Sequence, residues 1–139
     1  MSTIRFASPA TTPSLSPREV VNADTEEYIP ERSDEVRSRV YHPGSETELQ
    51  MLEVNLPPDF EVDSHAHCEA EIIYVTKGEL HFGNRVVSVG GSVFIDADTL
   101  YGFRSGSMQT QFINFRARAD VSYLTKEQFV ARRAESRRT

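Results

Sequence analysis

Residues 65–78 read His65-Ala66-His67-Cys68-Glu69-Ala70-Glu71-Ile72-Ile73-Tyr74-Val75-Thr76-Lys77-Gly78, and this stretch decides how the rest of the chain is read. On an extended strand successive side chains point to opposite faces, so His65 and His67, one alanine apart, project from the same side. Such a pair can chelate. From His65 to Glu71 an extended chain would run roughly 20 Å, far beyond the about 2 Å that a metal allows each of its ligands. If both imidazoles and the Glu71 carboxylate are to share one ion, the chain must turn near Cys68-Glu69-Ala70. Past that turn, Ile72 to Thr76 is a β-branched and aromatic run that stops at Lys77-Gly78, which predicts a buried strand and a tight turn. Glu71 then starts a strand and faces the histidines.

Outward from this stretch the chain is rich in strand signals. They fall on Val36 to Tyr41, Glu48 to Leu56, Phe60 to His67, Glu71 to Thr76, Leu80 to Phe82, Arg85 to Val89, Ser92 to Ile95, Leu100 to Arg104 and Thr110 to Arg116. Short strands separated by Gly-containing turns predict a sandwich or barrel. Thr125 followed by Gln128 has the form of a capping box, so a short helix should run from there to about Ala134, packing through Phe129 and Val130. The basic residues Arg132, Arg133, Arg137 and Arg138 should stay solvated near its C-terminal end, where the helix dipole favours them.

His65, His67, three intervening residues, Glu71, six more and Gly78 together resemble the first sequence motif of the cupin superfamily, in which a small β-barrel holds a divalent metal. The segment from Gly91 to Tyr101 is similar to the second motif of that family: a glycine, an apolar strand, a turn and a last ligand. Here the chain departs from the family pattern. Asp96 and Asp98 stand where many members have Pro and Gly, and Tyr101 stands where they place a third histidine. Asp59 stands where a glycine usually precedes the first histidine, and no Asn follows Tyr101 at the usual offset. The resemblance implies an all-β, single-domain cupin-type β-barrel, or jelly roll, with a metal on His65, His67 and Glu71 instead of a three-histidine site.

Bulk properties bound the partners. A chain of 139 residues with 38% hydrophobic content can build one domain with a modest core. The formal charge of −6 hides an asymmetry: residues 41–115 carry three Lys or Arg against eleven Asp or Glu, and residues 116–139 carry seven against three. No basic stripe interleaves with aromatics, so no nucleic acid partner is expected. Cys68 is the only cysteine, which rules out an intrachain disulfide. The N-terminus lacks the apolar core of a secretory signal and no stretch reaches the length of a membrane span, so the expectation is a cytoplasmic protein with no membrane partner.

Three regions are expected. Residues 1–35 form an N-terminal arm, rich in Ser, Thr and Pro up to Pro17 and therefore flexible or ordered against a partner, then charged around the apolar point Tyr28-Ile29-Pro30. Residues 36–118 form the barrel, and residues 119–139 a C-terminal segment with the short helix. A homodimer is expected, since barrels of this family commonly pair through their sheets and edge strands need cover.

The chemistry expected of the site follows from its donors. Two imidazoles and one carboxylate with open positions suit iron(II) and oxygen, and would also accept manganese, nickel, cobalt or zinc. Glu69 is the rival carboxylate, but only Glu71 keeps the six-residue interval to Gly78. Tyr101 is the candidate catalytic residue, as metal ligand or as a hydroxyl beside the metal that donates or accepts a proton. Cys68 in the turn, His81 between Leu80 and Phe82, and His42 before Pro43-Gly44 read as bystanders. Met51, Phe94, Phe103 and Phe112 are candidate walls of a pocket for a small organic substrate, and Phe103 and Arg104 cannot both face it. The functions in view are a metal-dependent oxygenase, a metal-dependent lyase or isomerase in which the ion is the Lewis acid and Tyr101 accepts or donates the proton, and a small-ligand-binding or sensory module without turnover.

Overall fold

The structure is a computed structural model that describes residues 3–21, 32–120 and 122–138. The Tyr28-Ile29-Pro30 point lies outside the described residues. Among the described residues ten strands follow a short helix α1 (Pro17–Val21): β1 (Arg37–His42), β2 (Gln50–Leu56), β3 (Glu61–Ala66), β4 (Glu71–Lys77), β5 (Glu79–Phe82), β6 (Arg85–Ser88), β7 (Ser92–Ile95), β8 (Tyr101–Ser105), β9 (Thr110–Arg116) and β10 (Leu124–Thr125). Helix α2 (Lys126–Arg138) closes the chain. Nine of these strands lie where the alternation of β-branched and aromatic residues places them. The two-residue β10 and the helix α1 carry no such local signal.

Two five-stranded antiparallel sheets face each other, in the orders β1-β2-β9-β4-β7 and β10-β3-β8-β5-β6. This is a form of the sandwich or barrel expected from the strand pattern, and the jelly roll that the resemblance implies. Between the sheets lies a core of Leu56, Phe60, Ile73, Val75, Leu80, Ile95, Phe103 and Phe112. Each such side chain, fully buried, contributes roughly 1.5–3 kcal/mol against leaving it in water. The opposite face of the first sheet carries Ile72, Tyr74, Phe94 and Phe115, all at least 41% exposed. Among the described residues no helix is long and apolar enough to cross a membrane.

Two details bear on the site. The pairing of β3 with β8 slips between Val62 and His65, a bulge that lets both residues face inward although three positions separate them. Asp59 and Asp98, which stand where the family pattern has glycine, have φ of 52° and 56°. Asp tolerates this left-handed region better than most residues, so the backbone turn persists without the glycine. The capping box is present: Thr125 N–H donates to Gln128 Oε1 at 2.9 Å and Gln128 N–H to Thr125 Oγ1 at 3.2 Å. Helix α2 runs to Arg138, beyond the expected end near Ala134. Phe129 packs inward, but Val130 is 55% exposed and does not share its face.

Gly78 ends β4 with φ of 67°, and a Cβ there would meet Gln109 O and Thr110 Oγ1 at 2.5 Å. Gly83 has φ of 60° but open space around it. Gly78→Ala should therefore cost about 3 kcal/mol or more, strain plus a backbone clash, and Gly83→Ala about 1 kcal/mol. Urea unfolding of the two variants measures this, and equal losses would contradict the close approach at Gly78.

Candidate active site

The site begins with a row of directly opposed residues across the first sheet. Strand register sets Gln50 of β2 opposite Arg116 of β9, and Arg116 opposite Glu71 of β4. The next row inward is Leu52, Asn114 and Ile73, and the next Val54, Phe112 and Val75. Polarity thus falls off along the sheet, from a charged row to apolar ones. Across the barrel, β8 and β3 set Tyr101 opposite His65, while Thr125 of β10 pairs with His65 from the other side. From these rows Arg116, His65 and Tyr101 line one cavity of about 360 Å³.

Both imidazoles are buried and fixed. His65 Nδ1 donates to the backbone oxygen of Asp63 at 2.8 Å, and His67 Nδ1 donates to that of Ser122. A carbonyl can only accept, so each Nδ1 carries the proton and each Nε2 is left as an acceptor, on residues that both line the cavity. The rings lie 4.9 Å apart, edge to face. Tyr123 stacks flat on His65, with centroids 4.4 Å apart and planes 4° apart, and meets His67 edge-on at 5.8 Å. Tyr101 lies 4.4 Å from His65 on its other contact. Burial pushes the His65 imidazole down to about 4 and lowers His67 as well, so both are neutral at neutral pH.

Glu71 is 2% exposed and its oxygens are engaged. Oε2 accepts from Arg116 Nε at 3.1 Å, Arg116 Nη2 at 2.9 Å and Asn114 Nδ2 at 2.9 Å. Oε1 accepts from the Tyr101 hydroxyl. Burial raises the carboxyl, but Arg116, His67 and these donors outweigh it and hold Glu71 below the usual carboxylate range. The Tyr101 hydroxyl is pushed up by burial and by Glu71, so it stays a neutral donor. Asn114 spends its amide nitrogen on Glu71, and its Oδ1 is buried with no hydrogen-bond partner among the described residues.

The donor set tests the expected metal centre. The imidazoles have the tautomer and the backbone anchor that a ligand needs. The carboxylate does not fit, because one oxygen holds three donors, the other holds Tyr101, and the cation beside it is Arg116. Among the described residues no group of three or more His, Cys, Asp or Glu side chains is placed to hold one ion. Register is the physical reason: it pairs Glu71 with Arg116 across β4 and β9. Tyr101 is likewise engaged by Glu71 rather than free to coordinate.

Of the expected pocket walls, Phe103 and Phe112 line the cavity. Met51 and Phe94 do not: each sits on the outward parity of its strand, opposite Phe115 and Ile72, and Phe94 is 67% exposed. Arg104 points out to solvent, settling its alternative with Phe103. Glu69 pairs with Arg118 at 3.4 Å, and His81 with Glu79 at 2.9 Å. Cys68 is exposed, with Arg132 Nη1 at 3.6 Å from its sulfur. Sequence reasoning missed Asn114, Arg116 and Tyr123. The first two carried a readable signal, polar residues sharing the inward parity of Phe112. Tyr123 carried none, since it reaches His65 through the long-range pairing of β10 with β3.

Comparisons with known proteins support the architecture. No protein-family profile matches the chain, and no curated protein matches it in sequence. An RmlC-like cupin from Ralstonia eutropha superposes with a TM-score of 0.69 at 17% identity, over 91% of this chain and 75% of that one. The polyketide cyclase RemF from Streptomyces resistomycificus gives 0.65 at 16% identity, over 89% and 86%. An RmlC-like cupin from Shewanella frigidimarina gives 0.55 at 20% identity, over 69% and 89%. Likeness at these identities shows the fold.

A folded pKa of about 4 for His65 against an ordinary 6.5 fixes the sign of a pH effect. Above pH 6.5 the imidazole is neutral folded or unfolded and costs nothing. As pH falls from 6.5 towards 4 the unfolded chain takes up the proton first, and stability drops by roughly 1 kcal/mol per pH unit. His65→Asn, whose amide can replace the Nδ1 donor, should flatten this slope in urea unfolding between pH 7 and 5. An unchanged slope would show that the imidazole is not held neutral.

Proposed function

We propose that this chain, a cupin by fold, is a small-molecule enzyme of lyase or isomerase type that moves a proton on an organic substrate seated against His65, His67 and Tyr101. The observation that carries the reading is the meeting of two neutral, anchored imidazoles with a tyrosine hydroxyl in the lining of a mainly apolar cavity, to which Asp34 and Asp63 also contribute. The substrate class follows from the lining: an apolar body against Leu52, Val54, Phe103 and Phe112, and an oxygen function beside an acidic C–H at the histidine end.

The imidazole pair supplies the base through Nε2. Burial and the charge of Arg116 favour the neutral ring at rest, while the charge of Glu71 favours the imidazolium that forms when a proton is taken. Tyr101, kept neutral beside Glu71, is the donor that can turn to a developing oxyanion on the substrate. Tyr123 stacked on His65 keeps the ring in one orientation and one face of it away from water. What the chain shares with the polyketide cyclase is the fold, so the substrate is argued from the cavity alone. Iron(II) or another divalent ion would supply Lewis-acid or oxygen chemistry when bound, but the carboxylate expected to hold it is engaged by Arg116.

A second reading has one observation behind it. The Tyr101 proton is already donated to Glu71, so the cavity as it stands offers acceptors and no free acid, which suits a ligand-binding module. Proton exchange separates the two. Enolisable ketones of suitable size, 2-tetralone and cyclohexanone, are incubated with the protein in D₂O and their α-hydrogens followed by proton NMR. Catalysed exchange should fall by about 10²-fold or more in His65→Ala or His67→Ala and by a smaller factor in Tyr101→Phe. Ketones that bind by ligand-observed NMR but exchange no faster than in buffer would favour the binding module.

A further inference from the structure

We propose that Arg116 is the resident cation of this site: its guanidinium takes the place beside Glu71 that a divalent ion would fill, and Glu71 is a positioning carboxylate rather than a metal ligand. This holds whether or not the cavity turns over a substrate.

Three observations carry it. The first is the pairing itself. Arg116 and Glu71 are directly opposed on neighbouring strands, with side chains 7% and 1% exposed, and Arg116 puts both Nε and Nη2 on one carboxylate oxygen. Arg116 Nη1 also donates to Gln50 Oε1 at 3.1 Å and to the backbone oxygen of Asp120. A guanidinium fixed from both ends cannot swing aside at low cost. The second is access. The cavity lining includes Tyr101, Asn114 and Arg116, the three side chains that bond Glu71, and not Glu71 itself. The carboxylate lies behind them. The third is charge: a buried carboxylate needs one compensating cation, and a second one close to a fixed guanidinium is repelled in a medium that screens poorly.

The chain's own residues therefore specify what would convert the site. His65 and His67 keep their Nε2 acceptors, so removing the guanidinium leaves two imidazoles and a carboxylate without its cation, still bonded by Asn114 and Tyr101. Glu71 in turn positions Tyr101 and Asn114, and it does so only while Arg116 balances its charge.

Cobalt(II) titration of chelator-treated protein, followed by visible absorbance and calorimetry, tests this without any substrate. Wild type and Glu71→Gln should bind cobalt with the same weak affinity, and His67→Ala should abolish what binding there is. Arg116→Gln should bind cobalt at least about tenfold more tightly than wild type, and Arg116→Lys, which keeps a cation, should not. Cobalt should also raise the melting temperature of Arg116→Gln more than that of wild type. One cobalt per wild-type chain, weakened about tenfold or more by Glu71→Gln, would overturn the proposal by making Glu71 a ligand. So would an Arg116→Gln protein that is folded by circular dichroism yet gains no affinity. If Arg116→Gln does not fold, the comparison of wild type with Glu71→Gln decides alone.

Discussion

The buried ion pair of Glu71 and Arg116 is the interaction on which the rest of the site depends. An isolated charge in this interior would be expensive, and removing one partner of such a pair typically costs about 3–5 kcal/mol. Here each charge is also hydrogen-bonded on several sides, which is the condition under which a buried pair is tolerated. Its bonds tie β2, β9 and β4 into one rigid row through Gln50, Arg116 and Glu71. From that row Glu71 reaches across the barrel to Tyr101, and Arg116 reaches Asp120 at the head of the C-terminal segment.

That second reach links the ion pair to the histidines. Asp120 accepts from the backbone N–H of Glu69 and of Ser122 at 2.9 and 2.8 Å, and Ser122 accepts from His67 through its carbonyl and from Cys68 N–H through its hydroxyl. The turn after β3 and the segment before β10 are thereby bound to each other and to Arg116. Tyr123 follows at once and lays its ring on His65. The imidazoles are thus held by main-chain oxygens and by an aromatic face.

Much of the architecture was legible because it rests on local alternation. Nine strands, the turn at Gly78 and the capping box at Thr125 and Gln128 follow from residue types within a few positions of each other. The pairing of His65 with His67 on one side was legible for the same reason. Pocket residues were legible only in part. Phe103 and Phe112 share the inward face, but Met51 and Phe94 sit on the outward parity of their strands, and hydrophobicity alone does not say which face of a sheet is covered when both carry apolar residues.

By itself the sequence determined the class of fold, the run of strands and the gathering of imidazoles, carboxylate and tyrosine into one neighbourhood. Tertiary structure alone decided what the carboxylate does there. The partner of Glu71 is 45 residues away in sequence, and it became a guanidinium because the register of β4 on β9 sets Arg116 directly opposite. The bulge between Val62 and His65, and the two-residue β10 that brings in Tyr123, belong to the same class of fact. Spacing along a chain fixes which side of its own strand a residue faces, whereas charge balance in a buried site depends on which strand lies beside it.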